Sequence, residues 1–384
     1  MRRCPRIFVV VEFFVPGFKA GGPLRSIANL IAALGGQFEF YVYTRDRDED
    51  DHQPFSQVRR DCWQDFGAAK VFYASPHHVG LVSMARVIKT VGPDAIYLNS
   101  AFAPMSRRVL GLRRLGVTRN PIVIAPRNEL SPGALSLKWM KKHLFLLLAK
   151  RLRLYEGLLW QCSNEEEASQ VRTVFPRAAV VIACDVAAPL PELGVVVEPK
   201  AVGSARLVYL SRISPKKNLL TALRALRGIS GTVTFDIYGP IQDEEYWRRC
   251  VDVISSMPSN IAITYKGAIP PERVREQLRT YQFFILPTLG ENFGHAIQEA
   301  LSVGLPVLVG PETPWSVVAA AQAGWIVESD VAAWRTAIAE AVGTNGESFR
   351  AMSVNARHVA EKHASETEAI RANEEMLNRV ATVS

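Results

Sequence analysis

The strongest constraint on how this chain folds is a rhythm. Short apolar runs alternate with amphipathic helical stretches from one end to the other, as in parallel sheets covered on both faces. In the first half the predicted strands are Ile7–Phe13, Phe38–Tyr43, Lys70–Tyr73, Ala95–Leu98, Ile122–Ala125, Leu158–Cys162 and Val180–Ile182. Ser163 with Glu166 reads as a capping box that starts the helix after one of them. The stretch "PLPELGVVVEPKAVGSA" (189–205) has no helical period and is the predicted hinge. The rhythm then restarts with Arg206–Leu210, Val233–Tyr238, Ile261–Tyr265, Phe283–Leu286, Pro306–Val309 and Trp325–Val327, and helices close the chain from about Asp330 to Val380. A length of 384 residues exceeds one ordinary core. The expectation is an α/β protein of two doubly wound sheets facing across a cleft, with ligands at the carboxyl ends of the strands.

Bulk properties narrow the function classes. The net charge of +8 and pI of about 9.3 fit nucleic acid, an anionic membrane surface or phosphorylated substrates. Aromatic residues are not interleaved with the basic ones, so no nucleic-acid partner is expected. The opening "MRRCPRIFVVVEFF" imitates a secretion signal, but it runs into Glu12 and "PGFKAGGP" without a small-residue cleavage site, so it reads as a buried first strand. No run approaches the ~20 apolar residues a membrane span needs. These features predict a cytoplasmic protein. The five cysteines (Cys4, Cys62, Cys162, Cys184, Cys250) are scattered and contain no C-x-x-C, which predicts reduced, buried thiols and no zinc site.

Three stretches carry candidate chemistry. In "PTLGENFGHAIQEAL" (287–301), a buried strand gives way to helical spacing from Phe293. Glu291 then lies in the strand-to-helix loop, and Glu299 lies on the helix. The backbone N–H groups of Phe293, Gly294 and His295 point out of the helix start, as an anion site needs, and Gly294 admits a ligand close to the backbone. The alternative is that Glu291 merely caps the helix and Glu299 is solvated.

In "VYLSRISPKKNLLTALRAL" (208–226), Arg212 stands just past a strand and Lys217 at the next helix start. Cations there oppose the helix dipole unless an anion intervenes, and a diphosphate suits a guanidinium fork with an ammonium point charge. An exposed basic turn is the alternative, and Lys216 is read that way. In "VPGFKAGGPLRSIANL" (15–30), Gly21 and Gly22 permit close approach of a phosphate or sugar, Lys19 adds charge and Pro23 fits a first helical turn. This loop is neither a Walker loop nor G-x-G-x-x-G.

Together these stretches carry a resemblance. "GENFGHAIQEALSVGLPV" is similar to the E-x7-E element of the retaining glycosyltransferases of family 4, which have the GT-B fold of two Rossmann-like domains. "SRISPKKN" resembles that family's Arg and Lys element, and "GFKAGGP" its N-terminal glycine loop, in the expected order. The resemblance implies an acceptor domain over 1–195, with 366–384 packing back on it, and a donor domain over 203–365. It implies that Arg212 and Lys217 hold the donor diphosphate, that Glu291 contacts the transferred sugar and that Glu299 contacts the ribose. Asn292 belongs to the same loop, and "KGAIPPERV" (266–274) matches the segment whose backbone at Ala268 and Ile269 meets the base.

The implied reaction moves a hexosyl group from a UDP- or GDP-sugar to a saccharide or lipid-linked saccharide in surface polysaccharide assembly. It retains anomeric configuration, with the leaving phosphate assisting deprotonation and no metal or other cofactor required. The chain departs from the family's pattern in the loops "YLNSAFAP" and "IAPRNELSPGAL", where many relatives carry a His or P-R-G. Asn99, Arg127 and Asn128, with Lys19, are therefore the acceptor-side candidates.

Two further stretches stay open. "TRDRDEDDH" (44–52) contains D-x-D patterns but reads as a solvated loop in a mixed-charge run. "SLKWMKKHLFLLLAKRLRLY" (136–155) is either a core helix with a basic exposed face or a helix lying on anionic lipid, which would make the protein peripheral on the inner face of the plasma membrane. His143 reads as a helix-surface residue. Rival functions are a sugar-nucleotide epimerase or phosphorylase of the same fold and a non-catalytic basic binding module.

Overall fold

The computed structural model describes residues 3–136, 139–190, 199–365 and 367–382. Residues 191–198 of the predicted hinge, and residues 137–138, lie outside them. The chain divides into two compact units, 1–186 with 367–384, and 187–366.

The first unit holds strands β1 (Arg6–Val10), β2 (Glu39–Arg45), β3 (Trp63–Phe66), β4 (Ala69–Ala74), β5 (Ala95–Asn99), β6 (Ile122–Ala125), β7 (Leu159–Cys162) and β8 (Ala179–Ile182). They form one sheet in the order β3-β4-β2-β1-β5-β6-β7-β8, parallel except for β3. The second unit holds β9 (Ser204–Leu210), β10 (Thr232–Tyr238), β11 (Ile261–Gly267), β12 (Phe283–Leu286), β13 (Val307–Val309) and β14 (Gly324–Ile326). Their order is β11-β10-β9-β12-β13-β14, all parallel. In each unit the chain builds outward on one side of its first strand and then returns to the other side. The crevices at β1/β5 and β9/β12 are therefore the two topological switch points, where ligands bind in open α/β sheets.

Strand alternation explains why both sheet faces are apolar. Along β1, Ile7 and Val9 enter one core cluster while Phe8 and Val10 enter another, all with no exposed surface. Burying such a side chain contributes about 1.5–3 kcal/mol. Met376, Leu377 and Val380 of the helix Thr367–Ala381 join the Ile7–Val9 cluster, and Asn373 on that helix donates to Cys184 O at 2.8 Å. The second unit has a single cluster that includes the fully buried Trp315 and Trp334.

Three expectations need correction. β3 was not foreseen: four residues of an antiparallel edge hairpin carry too short a period to read, and the turn depends on Gly67 at φ 55°. The helix Glu165–Val174 is capped one residue later than the Ser163/Glu166 reading. Asn164 accepts the Glu167 N–H at 2.8 Å, while the buried Glu167 carboxylate accepts from Ser163 N at 2.8 Å and Asn128 N at 2.5 Å. Glu166 is exposed. Of the five cysteines only Cys162 and Cys250 are buried. Burial pushes both thiols up to about 12, so neither is a ready nucleophile.

Candidate active site

At the β9/β12 switch point, two strand-to-helix loops meet. After β9 the chain passes Arg212, turns tightly over Pro215–Lys217 and places Asn218 at φ 54° before the helix Leu219–Leu226. After β12 it passes the buried Thr288 and reaches Gly294 at φ 81°, which caps the helix His295–Ser302. The loops are fastened to each other by Leu289 N to Lys216 O at 2.9 Å and by a direct ion pair between Lys217 Nζ and Glu291 Oε1. Both side chains of that pair are largely enclosed, with 14% and 13% of their surface exposed.

The helix start has no side-chain cap, so Glu291 is not a capping residue. Among the described residues the N–H groups of Phe293 and Gly294 meet no protein acceptor. The half-buried Arg212 guanidinium likewise takes no side-chain partner among them. Two unspent backbone donors and one ammonium thus stand where the two loops join, with the Arg212 guanidinium on the first of them, a set of donors suited to a diphosphate. Glu299 is buried in the helix at 7% exposure, against the solvated alternative. His295 is also buried, its ring 4.6 Å from that of Phe293.

Gly294 is required by more than its backbone angle. A Cβ there would sit 3.0 Å from Ile297 Cδ1 and 3.1 Å from Trp315 Nε1. Trp315, missed in the sequence, donates its indole N–H to Phe293 O at 2.6 Å and packs 4.6 Å from His363. It braces the turn from behind. Its one sequence signal was its place in the loop after a strand. Ala268 and Ile269 follow β11 at the same carboxyl edge of the sheet, Ala268 exposed and Ile269 half-buried.

In the first unit the glycine loop leads into the helix Gly22–Leu34, with Gly21 at φ 74° as its N-cap and Pro23 in its first turn. The loop is shaped by a residue read as solvated. Asp48 is only 2% exposed, and its carboxylate accepts from Phe18 N at 2.7 Å and Lys19 N at 3.1 Å. Asp46 is 1% exposed and pairs with Arg47 at 2.8 Å. The D-x-D run is thus a buried brace, because the loop 30 residues upstream folds over Asp48. Among the described residues no group of His, Cys, Asp and Glu side chains is arranged to hold a metal ion.

The acceptor-side candidates are partly committed inside the fold. Lys19 pairs with Asp51 at 2.5 Å. Arg127, at φ 54°, is enclosed: it bonds Asp185 at 2.5 Å, Asn99 Oδ1 at 2.7 Å and Tyr97 OH at 3.0 Å. Burial opposes its charge, but Asp185 and Tyr97 hold its pKa above the ordinary value. Tyr97 in turn bonds Gln161, which reaches Asn373 at 3.2 Å. For Arg127 this geometry favours a structural duty over contact with an acceptor. Asn99 is buried and its Nδ2 has no hydrogen-bond partner among the described residues, and Asn128 gives its N–H to Glu167.

Within the 136–155 stretch, the described helix Trp139–Arg151 is not a core helix. Over Trp139–Arg151 only Leu146 and Ala149 are buried. Trp139, Met140, Leu144, Leu147, Leu148 and Leu152 are each about half or more exposed, between 49% and 67%. His143 Nδ1 lies 2.9 Å from Trp139 O on the exposed surface. Among the described residues no helix is long and apolar enough to cross a membrane.

Residues 196–359 match the family model for glycosyl transferases group 1. The whole chain also superposes on solved structures of low sequence identity. Sucrose-phosphate synthase from Thermosynechococcus elongatus gives a TM-score of 0.75 at 14% identity, covering 99% of this chain and 100% of that one. Anabaena Alr3699/HepE in complex with UDP and glucose gives 0.66 at 14%, covering 98% and 100%. WaaG, a glycosyltransferase involved in lipopolysaccharide biosynthesis, gives 0.63 at 12%, covering 95% and 98%. No curated protein sequence matches. The chain shares the fold of these proteins.

Proposed function

We propose, from the premise that residues 196–359 are a group 1 glycosyl transferase domain and the chain therefore a glycosyltransferase, that it moves a hexosyl group from a UDP- or GDP-sugar to a saccharide or lipid-linked saccharide in surface polysaccharide assembly. The observation that carries this reading is the Lys217–Glu291 pair at the β9/β12 switch point, beside the unspent N–H groups of Phe293 and Gly294.

The charge requirement explains the site. As the bond from the anomeric carbon to the phosphate oxygen breaks, negative charge grows on the departing nucleoside diphosphate. Arg212 and Lys217 meet that charge, and the helix-start N–H groups add fixed dipoles. Glu291 orients the Lys217 ammonium and offers a carboxylate to sugar hydroxyls, and Glu299 does the same for the ribose. Ala268 and Ile269 border the base, with Asn292 and His295 completing the loop around the donor. The acceptor oxygen bonds the anomeric carbon on the face the phosphate leaves, and its proton passes to a leaving phosphate oxygen. Configuration is retained, and no metal is needed.

The UDP and glucose bound to Alr3699/HepE, which has the same fold, fit a UDP-sugar donor here. The exposed apolar and basic helix Trp139–Arg151 supports peripheral binding to the inner face of the plasma membrane. The test is a donor panel scored by released UDP or GDP. Turnover that depends on an acceptor distinguishes a transferase from an epimerase. Glu291→Gln and Lys217→Ala should both lose activity, and wild-type rates in both would overturn the site.

A further inference from the structure

The switch point of the first unit carries a charge pattern that the donor site does not need. Glu12, just past β1, fastens two elements. Its carbonyl accepts Arg45 N at 3.2 Å and Thr44 Oγ1 at 3.3 Å, at the end of β2. Its carboxylate accepts Met105 N at 2.7 Å, in the first turn of the helix Pro104–Arg114 that follows β5. Arg45, at the end of β2, and Arg107 and Arg108, in the first turns of that helix, thereby belong to segments joined at the β1/β5 switch point.

The neighbouring carboxylates do not neutralise them. Asp46 is taken by Arg47, and Glu129 accepts from Ser100 Oγ at 2.6 Å, Ala101 N at 2.7 Å and Phe102 N at 3.1 Å. Among the described residues none of the three arginines forms an ion pair. Arg45 instead lies over the Phe13 ring at 5.3 Å, and Arg107 over the Phe145 ring at 5.4 Å. Stacking fixes a guanidinium plane while leaving its N–H edge to a ligand. Arg107 also opposes the dipole of its helix, whose first turn has no acidic residue. Burial pushes the Glu12 carboxyl up, while Met105 N and the charges of Arg45, Arg108 and Arg107 act to lower it. Three cations thus stand on the two segments that this one carboxyl residue ties together.

We infer that Arg45, Arg107 and Arg108 at the β1/β5 switch point form an anion subsite for the acceptor, reading a phosphate or carboxylate borne by the molecule to be glycosylated. This rests on the transferase reading above and adds to it the chemical class of the acceptor. Phe145 lies on the exposed helix Trp139–Arg151, and Lys142 of that helix lies over Phe102 at 5.4 Å. A phosphate attached to an apolar chain can therefore meet the arginines and the apolar helix together.

The experiment is calorimetric titration of the full chain, first with UDP and with GDP and then, with whichever nucleotide binds held saturating, with glucose, glucose 6-phosphate, glucuronic acid and decyl phosphate. The expected result is binding of at least one anionic probe about tenfold or more tighter than glucose, weakening as salt rises. The Arg107→Ala/Arg108→Ala variant should lose that preference and Arg107→Lys/Arg108→Lys should keep part of it. Arg177→Ala, an exposed residue before β8 at the opposite end of the strands, should leave it unchanged. A sugar phosphate favoured over decyl phosphate assigns the anion to a saccharide, and the reverse assigns it to a lipid headgroup. Equal binding of neutral and anionic probes, or an intact preference in the alanine variant, overturns the inference. Failure of both UDP and GDP to bind would instead strike the transferase reading.

Discussion

Each unit buries an ion pair near the carboxyl ends of its strands, and the two pairs are built differently. Arg127–Asp185 in the first unit is 8% exposed on both side chains and sits in a chain of hydrogen bonds through Asn99, Tyr97, Gln161 and Asn373. Lys217–Glu291 in the second unit is somewhat more open, and the two loops it joins also carry the Arg212 guanidinium and two N–H groups that meet no protein acceptor or side-chain partner among the described residues. The first arrangement is nearly satisfied by the protein itself. The second leaves donors over, and unspent donors in a crevice are what a ligand supplies with acceptors. How fully a charge is satisfied separates a structural pair from a candidate binding pair better than its burial does.

Removing one partner from each pair should affect the two units in opposite ways. Arg127→Ala leaves Asp185 charged and enclosed, and should cost about 3–5 kcal/mol in chemical denaturation. If it unfolds like wild type but loses transfer, the structural assignment of that pair is wrong. Lys217→Ala should reverse the pattern, lowering kcat about 10²–10³-fold with a smaller loss of stability than Arg127→Ala. Steady-state rates measured beside melting curves separate the two cases.

Gly294→Ala sharpens the claim for the open donors. The residue must hold φ 81° against Ile297 and Trp315, so about 1–3 kcal/mol of strain is expected, with weakened UDP binding by calorimetry. Undiminished UDP affinity would mean that the helix start is not part of the anion site. A smaller effect is expected for Leu144→Glu/Leu147→Glu on the exposed helix of the first unit. Flotation with anionic vesicles should fall about tenfold while transfer to a water-borne acceptor persists. Flotation equal to wild type would leave that surface without a lipid role.

The smallest effect concerns Glu129, whose pKa is raised by burial despite the hydrogen bonds from Ser100, Phe102 and Ala101. Between the ordinary carboxylate range and the raised value, the folded state keeps a proton that the unfolded state releases. Stability therefore falls as pH rises through that window. Glu129→Gln should flatten this slope in urea titrations across mildly acidic pH, and an unchanged slope would assign it to another group.

What was legible in the sequence was mostly local. Strand positions followed from runs such as Phe283–Leu286, whose limits match the observed strand. Arg212, Lys217 and Glu291 could be placed because each lies within a few residues of a strand end, so one loop's geometry brings it to the sheet edge. The misreadings concern residues whose surroundings come from far along the chain. Asp48 reads as solvated until the glycine loop 30 residues earlier donates to it. Arg127 looks available until Asp185, 58 residues later, closes on it. The apolar helix Trp139–Arg151 could be core or surface by composition alone.

The amino-acid order by itself determined the alternation of strand and helix, the turns that need glycine, and the placing of cations and carboxylates at the ends of strands. Those depend on backbone geometry repeating every two or 3.6 residues, which any short window records. Only the tertiary structure decided which charges are paired, which apolar side chains stay in water and which donors are left over. Desolvation and pairing depend on which distant segment arrives beside a group, and no local pattern specifies that neighbour.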